Sequence, residues 1–224
     1  MFAIITNAPE HRNRRKITEQ KLQSANLVKI GSKVSTRRLC KSMQKYNGDI
    51  IFTYGYKPKG LVPFDTSLFK ATLLYLQFSM QVLSSSGREI KIGLIDREFS
   101  ILNNSITTKL ISHTASTIIC TDCFIEHECQ NWLLKTGICP EVTDRLSDLA
   151  DCDFVFAPLE RCAAKGIIFG QGGIGINNRE INALIPTPYG QLLDLQVNPA
   201  ELLCMLWHEG EVDFPHLENR LKLY

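Results

Sequence analysis

Short apolar stretches alternate with longer segments of mixed polarity along most of the chain. Three stretches near the amino terminus have the length and composition of buried strands, namely residues 2–6, 26–30 and 49–54. A helix is predicted over residues 36–46, and it ends at Asn47-Gly48, a pair that favours positive φ. Residues 18–24 also have helical potential. The pattern therefore predicts a small α/β part over about residues 1–62.

The next segment predicts one long helix. Asp65 or Thr66 can cap its start, and its periodicity continues to about Ser84. Its apolar side chains cover most of the helix circumference, which is typical of a helix buried on more than one side. We therefore expect a single buried helix that leads into the second part of the chain, residues 63–224.

Strands and helices alternate most regularly in this second part. Strands are predicted at residues 89–96, 116–120, 152–158 and 165–169, with shorter ones around Val142 and at 191–196. Helices or helical turns are predicted at residues 104–112, 124–135, 143–150 and 198–210. Such alternation is typical of right-handed βαβ units. We therefore predict an α/β fold with a Rossmann-like, three-layer parallel sheet, on which the last helix packs.

The composition is that of a folded protein with a substantial core. Apolar residues make up 44% of the 224 residues and charged residues 21%. The chain contains no stretch of the roughly 18–20 uninterrupted apolar residues that a membrane span requires. The amino terminus also lacks the charge pattern of a secretory signal. Together with eight cysteines that fit free thiols, these features predict a cytoplasmic location.

Positive charge is concentrated at the beginning of the chain. Residues 1–60 contain 13 Lys and Arg against 3 Asp and Glu, whereas residues 61–224 contain 12 against 20. A basic face of this kind, with Arg37, Arg38 and Lys41 on the predicted helix, can attract phosphate-bearing ligands or nucleic acid. The simpler interpretation is that the basic first quarter balances the acidic remainder.

Three stretches of the predicted sheet share a further pattern. They are a first strand, Ile90–Ile95, a second strand with a terminal acid, Thr117–Asp122, and a later strand that ends in Ala-Pro, Leu149–Pro158. Together they cover about a third of the chain and resemble the dinucleotide-binding domain of NAD(P)-dependent dehydrogenases of the shikimate-dehydrogenase kind. The resemblance implies NAD or NADP as cofactor, with Asp122 accepting hydrogen bonds from the adenosine ribose.

The turn after the first strand departs from that family's pattern. It begins Asp96-Arg97-Glu98-Phe99-Ser100, where such domains carry Gly-x-Gly-x-x-Gly. Those glycines allow the backbone to approach a pyrophosphate, and Asp96 and Glu98 would repel one. We therefore interpret the resemblance as one of fold rather than of cofactor binding, since this fold hosts many functions.

A Gly-x-Gly-x-x-Gly sequence does occur later, formed by Gly170, Gly172, Gly173 and Gly175. It follows a predicted strand, and Asp194 lies 19 residues beyond its last glycine. Two interpretations remain open: a tight turn in which glycine supplies positive φ, or a loop whose backbone N–H groups contact a phosphate or another ligand. If the chain binds a ligand, we expect this loop to contact it, with Asp122 as a further cofactor-binding residue.

Other chemistry is less well supported. Cys120 and Cys123, with His127, Cys129 and Cys139 nearby, supply the residue types of a zinc site, but their spacing is poor. We expect thiols that pack in the core, and no metal. The sequence identifies no catalytic residue and does not decide whether the chain is an enzyme.

The function predicted from these features is the binding of a small anionic or nucleotide-like ligand at the carboxyl ends of the strands. A degenerate NAD(P)-dependent oxidoreductase is one form of this prediction. The alternative is a non-catalytic regulatory or nucleic-acid-interacting protein that uses the basic amino-terminal face. A homo-oligomer is compatible with both.

Overall fold

A computed structural model describes residues 1–7, 15–85, 89–170, 178–213 and 215–217 of the chain. The chain divides into two compact units: unit 1 comprises Met1–Ser67 and Asn177–Tyr224, and unit 2 comprises Leu68–Ile176. This division differs from the predicted 1–62 and 63–224, because the chain returns to unit 1 after unit 2 is complete. Among the described helices, we find none long and apolar enough to cross a membrane.

The strands and helices closely follow the predicted alternation. In chain order the strands are β1 (Phe2–Asn7), β2 (Ile17–Leu22), β3 (Ala25–Ile30), β4 (Ile50–Phe52), β5 (Lys91–Ile95), β6 (Ser116–Cys120), β7 (Glu141–Thr143), β8 (Phe154–Ala157) and β9 (Ile167–Gly170). The α-helices are α1 (Thr36–Met43), α2 (Ser67–Ser84), α3 (Ser105–His113), α4 (Glu126–Thr136), α5 (Asn178–Leu184) and α6 (Pro199–His208). Short 3₁₀-helices span Gln44–Tyr46, Leu146–Leu149 and Thr187–Leu195.

Unit 1 contains a four-stranded sheet in the order β2-β3-β1-β4. β1 runs parallel to both β3 and β4, whereas β2 is antiparallel to β3. The helical potential of residues 18–24 was therefore wrong. Gln23 adopts a left-handed φ of 54° in the two-residue connection between β2 and β3, and pairing with β3 overrides a weak local preference for helix.

One face of this sheet packs against α1. Leu39 and Met43 of the helix lie in one cluster with Ile5 and Val28 of the sheet. The helix begins at Ser35, whose Oγ accepts a hydrogen bond from the backbone N–H of Arg38 at 3.4 Å. The basic side chains of α1 therefore lie on its exposed side.

The chain completes unit 1 with α5, a 3₁₀-helix and α6. The predicted strand at residues 191–196 was wrong, because this segment belongs to the 3₁₀-helix Thr187–Leu195. Pro188 lies in its first turn, and Gln196 ends it with a left-handed φ of 58°. Extended pairing is limited to a single antiparallel bridge between Val197 and Thr53.

Unit 2 contains a five-stranded, all-parallel sheet in the order β7-β6-β5-β8-β9. Numbered along the chain, these strands follow the order 3-2-1-4-5 of a Rossmann-like sheet. The prediction that the strands within residues 89–96, 116–120 and 152–158 share one parallel sheet is confirmed.

Aromatic side chains fix α2 on one face of this sheet. The rings of Tyr75 and Phe78 lie 5.0 Å and 5.8 Å from that of Phe156 on β8, and Phe78 also contacts Phe169 on β9 at 5.3 Å. The predicted single buried helix is thus confirmed. On the other face, Leu149 lies in a second apolar cluster with sheet residues. The sheet therefore lies between two layers.

Candidate functional site

Ligands of open α/β sheets bind outside the carboxyl ends of the strands, where successive connections leave in opposite directions. In unit 2 this point lies between β5 and β8, because β6 and β7 lie on one side of β5 and β8 and β9 on the other. In unit 1 it lies beside β1, which has β3 on one side and β4 on the other. Each unit therefore has one place where a ligand is expected.

The turn after β5 in unit 2 is organised by the carboxylate of Asp96, which is 6% exposed. Its Oδ2 accepts hydrogen bonds from the backbone N–H groups of Ile101 at 2.6 Å and Leu102 at 3.0 Å. Its Oδ1 lies 3.4 Å from the hydroxyl of Ser100. A side chain of the turn thus satisfies the N–H groups that point into it.

The start of α3 is closed in the same way. Asn104 Oδ1 accepts hydrogen bonds from the N–H groups of Ile106 at 2.9 Å and Thr107 at 3.2 Å. Its Nδ2 donates to the carbonyl of Ile101 at 2.6 Å. The backbone donors with which a helix start holds an anion are therefore engaged within the chain.

Arg97 spans the carboxyl ends of four strands of unit 2. Its Nε and Nη2 donate to the two carboxylate oxygens of Glu160, at 2.8 Å and 3.3 Å. Its Nη1 donates to Asp122 Oδ1 at 2.9 Å and to the carbonyl of Asp144 at 3.0 Å. The hydrogen bonds to Glu160 raise the pKa of the guanidinium further above its usual value. A cavity of about 120 Å³ remains beside this network, lined by Asp96, Glu98 and Glu160 among others.

These residues do not fit the pyrophosphate of NAD or NADP. The backbone donors of the turn are occupied by Asp96, and the positive charge of Arg97 is shared between Glu160 and Asp122. Glu98, which is exposed beside them, adds a further negative charge. The electrostatic environment of this crevice therefore opposes an anion.

The predicted site residues fall in different places. Asp122 follows β6, and its side chain is 64% exposed and paired with Arg97. Gly170 ends β9, where a Cβ would lie 2.1 Å from the carbonyl oxygen of Ala157, so glycine is required by the neighbouring strand. Asp194 lies in a 3₁₀-helix of unit 1 and does not close a strand. Gly172, Gly173 and Gly175 lie outside the described residues, and their contact with a ligand stays a prediction.

The cysteines do not form a metal site in the described part of the chain. Across the ranges that the structure describes, there is no group of three or more His, Cys, Asp and Glu side chains that could hold a metal ion. Cys120 is buried and Cys123 is exposed. Burial raises the pKa of Cys152 to about 11, which disfavours the thiolate that reacts or binds metal.

Unit 1 has a larger cavity, of about 330 Å³, outside the carboxyl ends of β1 and β3. Asn7 at the end of β1 and Gly31 after β3 form its floor, and Tyr56 and Lys59 lie on the wall supplied by the loop after β4. Of the described residues that line it, Lys59 is the one with a formal charge. This cavity therefore has the environment that the crevice of unit 2 lacks.

A glycine brings Lys59 to the start of α1. Gly60 has a φ of 82°, and a Cβ there would lie 2.6 Å from Thr36 Cγ2. Its carbonyl oxygen accepts a hydrogen bond from the thiol of Cys40 at 3.1 Å. The loop thus reaches the helix so closely that only glycine fits, and Lys59 is held beside the first turn of α1.

Tyr56 supplies a neutral donor to the same cavity. Its side chain is half-buried, and this burial raises the pKa of the phenol above its ordinary value. The hydroxyl therefore stays protonated and able to donate a hydrogen bond. Its backbone is fixed by a hydrogen bond from its N–H to the carbonyl of Thr53 at 3.1 Å.

Sequence reasoning missed both Arg97 and the Tyr56–Lys59 wall. A signal for Arg97 was available, since it lies two residues after a buried strand, where ligand and network residues of such sheets collect. The loop of Lys59 gave no such signal, because its approach to α1 depends on contacts between residues about 20 positions apart.

No protein-family model matches the chain, and no curated protein matches it. Among solved structures, it is similar to L-tryptophan dehydrogenase from Nostoc punctiforme, with 13% identity and a TM-score of 0.37 over 87% of this chain and 67% of that one. It is also similar to a dipicolinate synthase from Bacillus halodurans, with 11% identity and a TM-score of 0.34 over 80% of this chain and 65% of that one. The dipicolinate synthase from Bacillus subtilis gives 10% identity and a TM-score of 0.35, over 79% of this chain and 69% of that one.

The chain thus spans about two thirds of the length of these three proteins. Likenesses of this size carry no argument about ligand or reaction. The Rossmann-like assignment of unit 2 follows from its own strand order and parallel pairing.

Proposed function

We propose that the chain binds a small anionic ligand, of the phosphate-bearing or nucleotide-like class, in the cavity of unit 1. The observation that carries this proposal is the environment of that cavity. It has about 330 Å³ at the carboxyl ends of parallel strands, and Lys59 is the charged residue among the described side chains that line it. A volume of this size is at the lower end of the range for small-molecule sites.

The groups around the cavity divide the work of binding an anion. Lys59 offers a point charge, and Tyr56 offers a neutral hydroxyl donor. Lys33 and Arg37, both exposed on either side of the start of α1, add to the positive field. The first turn of α1 contributes the positive end of its helix dipole. These contributions are additive in sign because all of them favour a negative ligand.

The charge of the whole unit supports the same assignment. Unit 1 carries 16 Lys and Arg against 11 Asp and Glu, whereas unit 2 carries 9 against 12. A negatively charged ligand is therefore attracted to unit 1 and not to the crevice of unit 2, where Arg97 is already paired with Glu160 and Asp122.

The first test is a calorimetric titration with inorganic phosphate, AMP and NADP. Replacing Lys59 by Gln should weaken binding of the tightest of these about tenfold, because a charge-assisted hydrogen bond contributes about 1.5–3 kcal/mol. Lys21→Gln is the matched control. It removes the same charge from an exposed position on β2, opposite Asn26 near the start of β3, and therefore at the other end of the sheet.

Equal losses in the two variants would show a general effect of charge and contradict the assignment to this cavity. Binding that is unchanged in Lys59→Gln would contradict it as well. The nucleic-acid alternative makes a different prediction. Oligonucleotide binding that is lost on replacing Arg37 and Lys41 by Gln, and kept in Lys59→Gln, would favour the basic face of α1 over the cavity.

A further inference from the structure

The turn between β5 and α3 contains a negative charge that belongs to the chain itself. The Asp96 carboxylate is buried, and its Oδ2 receives two backbone N–H groups, from Ile101 at 2.6 Å and Leu102 at 3.0 Å. Two such donors converging on one oxygen are the arrangement with which a loop before a helix holds an anion. Here the anion is a side chain five and six residues away.

The corresponding turn of dinucleotide-binding units is built differently. There glycines bring the backbone close to a pyrophosphate, and the N–H groups donate to its oxygens. In unit 2 the turn is filled by Phe99, which adopts a left-handed φ of 53° and packs edge-on against Trp132 at 6.0 Å. A bulky residue at positive φ is strained, so the contacts of the turn must hold it in place.

We propose that Asp96 is a built-in anion, whose carboxylate performs within the chain the role that a bound phosphate performs in dinucleotide-binding turns. Unit 2 accordingly completes its strand-end crevice with its own side chains and takes no dinucleotide there. Arg97 contributes the complementary charge. Its guanidinium joins Glu160 to Asp122, the acid that would otherwise receive a ribose.

This inference is independent of the anion site of unit 1, because it rests on a different turn and a different sheet. It explains why a Rossmann-like strand order accompanies a turn without glycines. The N–H groups of Ile101 and Leu102 require an acceptor because they are buried, and a ligand or a carboxylate can supply it.

Chemical rescue tests the proposal directly. Asp96→Ala removes the carboxylate and leaves two buried N–H groups together with a space of its size. Sodium formate, a small carboxylate, should raise the melting temperature of this variant by about 4 °C more than that of the wild type at the same concentration. Sodium chloride at equal ionic strength is the solvent control.

The protein control is Asp151→Ala. Asp151 is an exposed acid paired with Lys165, so its removal leaves no buried acceptor site. Formate should affect this variant and the wild type equally. If formate raises the melting temperature of Asp96→Ala no more than that of Asp151→Ala, the carboxylate is not acting as a bound anion, and the proposal is overturned.

A second measurement uses the unmodified chain and does not depend on the variant folding. Hydrogen exchange is followed by mass spectrometry with and without NADP at saturating concentration. The proposal predicts unchanged exchange in peptides that cover residues 96–107, and protection there would overturn it. Peptides that cover residues 31–36 and 56–60 report on unit 1 in the same experiment, so the two proposals succeed or fail separately.

Discussion

A single glycine can be required by a ligand or by the neighbouring backbone, and its spacing in the sequence does not distinguish these causes. Gly170 belongs to a Gly-x-Gly-x-x-Gly sequence that predicted a ligand loop. In the structure it ends β9, with room for no Cβ beside the carbonyl of Ala157. For this residue the packing of β9 against β8 is a sufficient reason, whereas the role of Gly172, Gly173 and Gly175 stays a prediction.

Gly170→Ala should therefore destabilise the protein without changing its affinity for anions. A Cβ 2.1 Å from a backbone oxygen forces the two strands apart, and overpacking of this kind costs about 1–3 kcal/mol. Denaturant unfolding measures the loss, and phosphate titration measures the affinity. Gly190→Ala is the control, since a Cβ there meets nothing within 4 Å. A larger effect on affinity than on stability would instead support the ligand loop.

Asp122 shows the other limit of reading single residues. The sequence correctly placed it just after the second strand of the parallel sheet, and from that position a ribose contact was predicted. It could not show that Arg97, 25 residues earlier, donates to the same carboxylate. The strand periodicity indicates where a strand ends, but the partners met there depend on long-range pairing.

At the scale of elements, the strongest local patterns gave the best predictions. β5, β6, β8 and α2 were found because each combines a continuous apolar pattern with clear stop signals. β2 and the 3₁₀-helix Thr187–Leu195 were missed because their conformation depends on a hairpin with β3 and on prolines in a short connection. The parallel sheet of unit 2 was thus predictable, while the four-stranded sheet of unit 1 was only partly so.

The packing of α2 on α3 makes a prediction at the same scale. Tyr75 is fully buried on α2, and its hydroxyl lies 2.6 Å from Thr107 Oγ1 on α3, which in turn donates to the carbonyl of Leu102 at 2.6 Å. Tyr75→Phe should lower the free energy of unfolding by about 1 kcal/mol at neutral pH, the usual net value of one hydrogen bond. Urea unfolding measures it.

The same variant has a pH signature. Burial raises the pKa of Tyr75 well above its ordinary value, so the folded chain keeps the phenol proton that the unfolded chain loses near pH 10. The stability due to this group is present below about pH 10 and is lost as the pH rises further. Wild-type stability should therefore fall more steeply above pH 10 than that of Tyr75→Phe. Parallel slopes would contradict a buried, protonated Tyr75.

At the scale of the whole molecule, unit 1 is built from both ends of the chain. The amino group of Met1 pairs with Glu209 after α6, and Thr53 bridges to Val197. His208, at the end of α6, lies 3.5 Å from Asp49. No local pattern announces these contacts, because their partners are more than 140 residues apart in the sequence. The predicted sequential division at residue 62 could therefore not anticipate a discontinuous unit.

The uneven distribution of charge over the two units leads to a prediction about salt. The side chains proposed to attract the anion in unit 1, among them Lys33 and Lys59, are exposed, and their field is screened as the Debye length falls from about 30 Å at 0.01 M salt to about 8 Å at 0.15 M. The affinity for phosphate should therefore decrease over this range, and the decrease should be smaller in Lys59→Gln. In contrast, the Asp96 carboxylate is buried against its donors, so the stability lost in Asp96→Asn should be nearly the same at both salt concentrations. Calorimetric titration and urea unfolding at the two concentrations give both values. A phosphate affinity that does not respond to salt would place the bound anion away from the exposed lysines, and a strongly salt-dependent effect of Asp96→Asn would show that this carboxylate acts through a solvent-exposed field rather than through its two hydrogen bonds.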